Sequence, residues 1–250
     1  MYPSLYCYSR VSRKEKMIDL IKLTKQQIID RAKWKCPIPG HSKHNGLEHP
    51  RCFDKLHKVE GERIGFLDIE TEDLKADFGI MFCWCLLDEK TDKIFSDIIT
   101  LDDIKKYSSH HRDKMPKEDT RILKSLIDKL QGYDRLIGHY SSRFDLQFSR
   151  TRSIICDVPF PHYGMIYQSD TWMILKNKFK LSRNSQENAT RKLLGATRKD
   201  HLSLSIKHGC LRGETWALED SLEHCKKDVL DLRDLYRVIN PYAKKTNTSI

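Results

Sequence analysis

The chain has 250 residues, 39% hydrophobic and 32% charged, enough apolar material for a core and too much for an unfolded polyelectrolyte. No apolar run approaches the roughly 18–20 residues of a bilayer span. Arg10, Arg13, Lys14 and Lys16 precede no apolar stretch of the kind a secretory signal carries. Membrane and secreted classes are thus disfavoured, and a cytoplasmic or nuclear address is expected. Forty-five Lys and Arg against 35 Asp and Glu leave a net charge of +10, which favours a polyanionic partner, although a basic surface serves solubility equally well. The 8 cysteines are spread over the whole length, a pattern of reduced thiols rather than of a disulfide framework.

Residues 1–34 read as a basic helical arm, with Thr24 and Gln27 spaced as a capping box ahead of Ile28, Ile29 and Ala32. Residues 35–60 hold CPIPGHSKHNGLEHPRC, dense in Pro, Gly and His and without apolar periodicity, so burial alone cannot order it. Cys36, His41, His49 and Cys52 offer the two sulfurs and two imidazoles that structural Zn²⁺ prefers, with His44 as a spare donor. A polar loop with two isolated thiols satisfies the same residues.

From Arg63 the pattern changes. RIGFLDI, FGIMFCWCLL and KIFSDIIT are three predicted strands, the last two joined by the short DEKTD and hence antiparallel. A helix is predicted over about 117–131, with Ile122, Leu123, Leu126, Ile127 and Leu130 on one face, Pro116 at its entry and Gly132 past its end. RLIGH at 135–139 is a short strand and a helix begins near Ser142. Further helices cover about 171–180, 185–194 and 218–239, the last with Leu222, Cys225, Val229, Leu232, Leu235, Tyr236 and Ile239 on one stripe. The order predicts an α/β fold, a mixed sheet flanked by helices over 61–242, followed by a tail at 243–250.

Three places carry acids in chemically suggestive settings. Asp68 and Glu70 close the first strand, and the period of two along a strand aims them at one face. Asp145 falls near the start of the helix after RLIGH, where the helix dipole alone would favour it. His224 and Asp228 stand four apart on the last helix and share a face, as a solvated ion pair also would.

Taken in order, these segments resemble the DnaQ-like DEDD family of 3′-to-5′ exonucleases, which has an RNase H-like fold. The YprB-type ribonuclease H-like branch, with phage stand-alone enzymes and polymerase proofreading domains, is the nearest likeness. Asp68-Ile69-Glu70-Thr71 matches the first motif. Gly138, His139, Phe144 and Asp145 match the second, and Asp228, Val229, Leu232, Leu235 and Tyr236 the third. The likeness spans about 63–240 and departs from the family at two points. Tyr140 replaces a usual Asn, and His224 has three residues between it and Asp228, the spacing of the tyrosine subclass.

The resemblance implies a phosphodiester hydrolase acting on the 3′ end of DNA, with RNA as the alternative substrate and a catalytically idle nucleic-acid-binding protein as the alternative class. It implies two Mg²⁺ (or Mn²⁺) held by Asp68, Glu70, Asp145 and Asp228, with His224 as general base. Carboxylates about 4 Å apart repel by about 4 kcal/mol per pair at an effective dielectric near 20, so a cluster of four calls for cations. Thr71, Tyr140 and Arg143, beside the first two motifs, are candidate substrate contacts. Lys176, Lys178, Lys180 and Arg183, interleaved with Phe179, are expected to grip a single strand, phosphates on cations and a base on the ring. Arg191, Lys192, Arg198 and Lys199 extend that basic region. A replication or repair protein is a possible further partner, and the host cytoplasm is the expected address for a phage protein.

Overall fold

The computed structural model describes residues 25–38, 43–48, 50–57, 62–108, 116–198, 200 and 202–243. It divides the chain into a unit over Met1–Gly61 and one over Glu62–Ile250. Most of the arm, the tail beyond 243, His41, His49 and Lys199 lie outside the described residues. Among the described residues, no helix is long and apolar enough to cross a membrane.

In the first unit, helix α1 spans Lys25–Lys33 and helix α2 spans Pro50–His57. The second corrects the expectation of a continuous loop over 35–60. Pro50 opens α2, at the one helical position where a missing amide proton costs nothing. The ring of Phe53 meets Trp34 edge-on at 5.5 Å, and the Arg31 guanidinium lies 4.5 Å from the Phe53 centroid.

The second unit opens with strands β1 (Ile64–Thr71), β2 (Met81–Asp88) and β3 (Ile94–Ile98), then helices α3 (Leu101–Ser108) and α4 (Thr120–Leu130). Strand β4 (Arg135–Gly138), helix α5 (Asp145–Ile155), strand β5 (Tyr167–Asp170) and helices α6 (Thr171–Lys178), α7 (Gln186–Leu194), α8 (Leu204–Leu211) and α9 (Thr215–Ile239) complete it. Among the described residues the strands form a five-stranded sheet in the order β3-β2-β1-β4-β5. The β1–β2 and β2–β3 pairs are antiparallel, as the hairpin length predicts, while β1–β4 and β4–β5 are parallel. This is the mixed, helix-flanked α/β sheet expected from the sequence.

Strand parity decides the two faces. Leu67, Ile69, Trp84, Leu86 and Leu136 point to one side and pack with α4 and α5 through Ile122, Leu123, Leu126, Leu146 and Phe148. Phe66, Cys83, Cys85, Leu87 and Ile137 point to the other, against Cys225, Val229, Leu232 and Tyr236 of α9. Asp68 and Glu70 share the parity of Phe66 and therefore belong to the α9 side.

A buried carboxylate fixes the β2–β3 hairpin. Asp88 accepts from Arg63 Nε and Nη2 at 3.1 and 3.0 Å, from the Tyr133 hydroxyl at 3.1 Å, and from Thr91 N at 3.0 Å. Burial pushes its pKa up, but the bonds from Arg63, Thr91 and Tyr133 outweigh that and hold it below the ordinary carboxylate value. A depressed folded-state pKa stabilises the fold above the unfolded value, near 3.9, and that contribution is lost as pH falls through the folded value. Asp88→Asn is expected to lower stability at neutral pH and to flatten the loss below about pH 4, as read from urea midpoints across pH. An unchanged acid limb would contradict this role.

Candidate active site

Strand β1 outruns its parallel partner. Its ladder with β4 ends at Phe66–Ile137, and β4 stops at Gly138, so the carboxyl end of β1 stands over an open crevice, the usual ligand position in a twisted α/β sheet. A register shift between Glu70 and Thr71 falls at the same point, where Glu70 pairs with Cys83 and Thr71 with Met81. Such a bulge re-aims side chains and ends the pairing.

The turn after β4 delivers Asp145. Gly138 admits the Ser141 side chain so closely that an added Cβ would lie 2.2 Å from its hydroxyl. Tyr140 then takes φ +62°, a left-handed conformation that a non-glycine residue holds only with outside support. Asp170, the N-cap of α6, supplies it by accepting from Tyr140 N at 2.9 Å and from the Ser142 hydroxyl at 2.6 Å. Asp145 opens α5 and is buried. Its Oδ1 accepts from Ile69 N at 3.3 Å, the amide between Asp68 and Glu70 that β4 leaves unclaimed.

Helix α9 supplies the remaining groups. His224 and Asp228, four apart, are both buried on the face turned to the sheet, and Cys225 Sγ donates to the carbonyl oxygen of Asp68 at 3.3 Å. His224 Nε2 lies 3.6 Å from Glu70 Oε1 and 3.6 Å from Asp228 Oδ2. One ligand atom each of Glu70, His224 and Asp228 falls within 4.8 Å of the others, a group able to hold a metal ion. Asp68 and Asp228 line a cavity of about 240 Å³ together with His139, Ser185, Gln186 and Glu187. Carboxylate oxygens converging on such a space suit a hard divalent cation such as Mg²⁺ or Mn²⁺.

Asp200, which the sequence reading missed, completes this arrangement. Its Oδ1 lies 2.6 Å from His224 Nδ1, and its Oδ2 accepts from Lys227 Nζ at 2.5 Å. Lys227 and then His224 hold its carboxyl down at about 2. An ionised carboxylate can only accept, so the proton of a neutral imidazole belongs on Nδ1 and the Nε2 lone pair faces Glu70 and Asp228. Asp200 lies between α7 and α8 in a polar run without periodicity, and nothing in that run marked it. Gln186, also missed, donates to the Asp228 carbonyl at 2.8 Å and ties α7 to α9 beside the cavity.

The candidate substrate contacts divide. Arg143, Lys176, Lys178, Lys180 and Arg183 are exposed. Tyr140 is 40% exposed and meets Trp172 edge-on at 5.2 Å, with Lys176 Nζ 5.0 Å from the Trp172 centroid. Three residues depart from expectation. Thr71 is buried and donates to the Asp73 carbonyl at 2.9 Å, closing the strand end. Phe179 packs against Tyr242 at 5.5 Å beside an apolar cluster of Leu175, Ala189, Leu235 and Ile239, so its ring serves packing and is not a free stacking platform. Arg198 is engaged by Asp231 and Asp234 at 2.7 and 2.9 Å, which removes it from an open basic track.

In the first unit, Cys36, His44 and Cys52 each bring a donor atom within 4.8 Å of the others. His44, expected as the spare, is therefore a member of the group, and the places of His41 and His49 lie outside the described residues.

No family model and no curated protein matches the chain. Among solved structures, the chain is similar to the family B DNA polymerase of the hyperthermophilic archaeon Pyrobaculum calidifontis. The TM-score is 0.54 at 13% identity over 73% of this chain. The match spans 25% of the polymerase chain, so the likeness is one of fold with a part of a larger protein. The shared fold is the mixed five-stranded α/β sheet flanked by helices, consistent with an RNase H-like fold.

Proposed function

We propose that this chain is a divalent-metal-dependent nuclease that removes nucleotides from the 3′ end of DNA. One observation carries the reading. Glu70 at the end of β1 and His224 and Asp228 in the middle of α9 bring ligand atoms within 4.8 Å of one another, Asp68 and Asp228 line one cavity, and Asp145 at the start of α5 bonds the amide between the two β1 acids. A net charge of +10 and a fold shared with a DNA polymerase support a nucleic-acid substrate.

Asp68, Glu70, Asp145 and Asp228 would hold two divalent cations, which when bound lower the pKa of water and neutralise charge on the attacking and leaving oxygens. His224 Nε2 takes the proton of the attacking water, and Asp200 fixes the imidazole and balances the charge it gains. The exposed Tyr140 and Lys176 and the partly buried Trp172 between them form an aromatic and cationic cluster suited to a splayed base and its phosphate. The open basic residues Lys178, Lys180 and Arg183 continue it.

With Mg²⁺, a 5′-labelled single-stranded DNA is expected to give a ladder that shortens from its 3′ end, abolished by EDTA and by Asp68→Asn. An RNA strand run alongside identifies the alternative substrate. Binding without cleavage of either strand would overturn the enzymatic reading.

Asp200 positions His224 without touching substrate. Asp200→Asn is expected to lower kcat about 10- to 100-fold with KM little changed, the range typical of losing a half-exposed outer partner of a functional imidazole. Steady-state kinetics on the same DNA checks this, and an unaltered kcat would contradict it.

A further inference from the structure

The described residues of the first unit bury little apolar surface of their own. Among its described residues no aliphatic or aromatic side chain is fully buried, and the buried positions are Cys36, His44 and Gly46. All the apolar clusters of the described residues lie in the second unit. A small unit without a hydrophobic core needs a covalent or metal staple. The buried Cys36 and His44 and the partly buried Cys52 bring together two sulfurs and an imidazole from three separate segments. Cys36 follows α1, His44 lies in the connecting loop, and Cys52 is in the first turn of α2.

The surroundings hold that trio in place. Cys36 N donates to the His44 carbonyl at 3.0 Å, and Gly46 N donates to the Arg31 carbonyl at 2.8 Å, which pins the loop to α1. Gly46 is required there, because a Cβ would lie 2.6 Å from the Phe53 ring. The Trp34 ring lies 6.2 Å from the imidazole of His44. Arg31 pairs with Asp54 at 2.5 Å and so joins α1 to α2.

We infer that Cys36, His44 and Cys52 bind a structural Zn²⁺ that organises the first unit, separately from the divalent centre of the second. Thiolate and imidazole donors select zinc over Mg²⁺ and Mn²⁺, which take oxygen. The second unit's carboxylates make the opposite choice, so one chain sorts two kinds of metal by ligand softness. The ion cross-links α1, the loop and α2 at one point, and its binding free energy becomes folding free energy for that unit.

The test uses the full chain. After gel filtration in buffer without added metal, elemental analysis is expected to give about one zinc per chain. Asp68→Asn and Asp228→Asn keep it, whereas Cys36→Ser and Cys52→Ser lose it. Because a Cys variant could lose zinc through misfolding alone, the wild-type protein is also exchanged with Co²⁺. Intense thiolate-to-cobalt charge-transfer absorption together with tetrahedral d–d bands is the expected signature. In the presence of a chelator, alkylation followed by peptide mapping is expected to accelerate at Cys36 and Cys52. Cys156, Cys210 and Cys225 serve as slow internal references, since burial pushes their thiols up, Cys156 to about 11 and Cys210 to about 12. Zinc retained undiminished in both Cys variants would overturn the assignment. A disulfide joining Cys36 to Cys52, or cobalt spectra without thiolate bands, would do the same.

Discussion

Asp228→Asn is expected to reduce Mg²⁺-dependent shortening of a 3′ end by about 10³-fold or more, a loss of at least about 4 kcal/mol in transition-state stabilisation. Asp228 is buried, lies 3.6 Å from His224 Nε2 and lines the cavity together with Asp68. The amide keeps the size and shape of the side chain, so the fold should survive while one negative charge is removed from the metal-holding set. His224→Gln should cost about 10²- to 10⁴-fold, because general-base assistance is lost while the carboxylates remain. Comparable far-UV circular dichroism and thermal midpoints, set against single-turnover rates, separate chemistry from folding. A residual rate within tenfold of wild type for Asp228→Asn would show that this carboxylate does not serve the reaction.

The second large effect concerns stability. Arg152 and Asp119 form an ion pair with both side chains fully buried, in which Arg152 Nε and Nη2 donate to the two carboxylate oxygens at 2.9 and 2.6 Å. Arg152 also donates to the carbonyls of Ala76 and Pro116 at 3.1 and 2.6 Å, and Asp119 accepts from Met81 N at 3.0 Å. Burial acts to lower the Arg152 pKa, but Asp119 more than offsets it, and the guanidinium stays charged. The pair thus clamps the start of β2, the entry of α4 and the last turn of α5. Arg152→Met is expected to cost about 3–5 kcal/mol, because it leaves Asp119 charged without its partner in a dry interior. For a unit of this size that corresponds to a fall of about 10 °C in Tm. A drop of only a degree or two by calorimetry would mean that water or a neighbouring group replaces the guanidinium.

The legible parts of this molecule are those where burial imposes a period. The α4 stripe of Ile122, Leu123, Leu126, Ile127 and Leu130 and the long stripe of α9 read directly from the sequence because each packs on a sheet face. Strand β2, buried at every position, read as a continuous apolar run. Strand β5 did not, since Tyr-Gln-Ser-Asp carries no apolar alternation and is held by its parallel ladder with β4. Helix α3 was missed although Thr100 and Asp103 cap it reciprocally, Thr100 N to Asp103 Oδ2 at 2.9 Å and Asp103 N to Thr100 Oγ1 at 3.2 Å. Helix α8 went unseen as well, although Ser203 caps it by accepting from Ile206 N.

The same division holds at the site. Parity along β1 and the four-residue step on α9 made Asp68, Glu70, His224 and Asp228 readable as pairs, because those relations are local. Asp200 reaches His224 across a gap of 24 residues and Gln186 reaches Asp228 across 42, and no local period encodes such meetings. Phe179 failed for the converse reason. Its basic neighbours suggested an exposed ring, while the packing of α6 on Tyr242 had a prior use for it.

Carboxylates from three elements are proposed to share divalent ions at the carboxyl end of β1. Crystals of the protein grown with Mn²⁺ and measured for anomalous scattering test this most directly. Difference peaks should stand about 2.0–2.3 Å from carboxylate oxygens of Asp68 and Asp228, with Glu70 and Asp145 oxygens completing the coordination. Mn²⁺ bound elsewhere, or these carboxylates pointing away from any ion in a protein that still degrades DNA, would contradict the account.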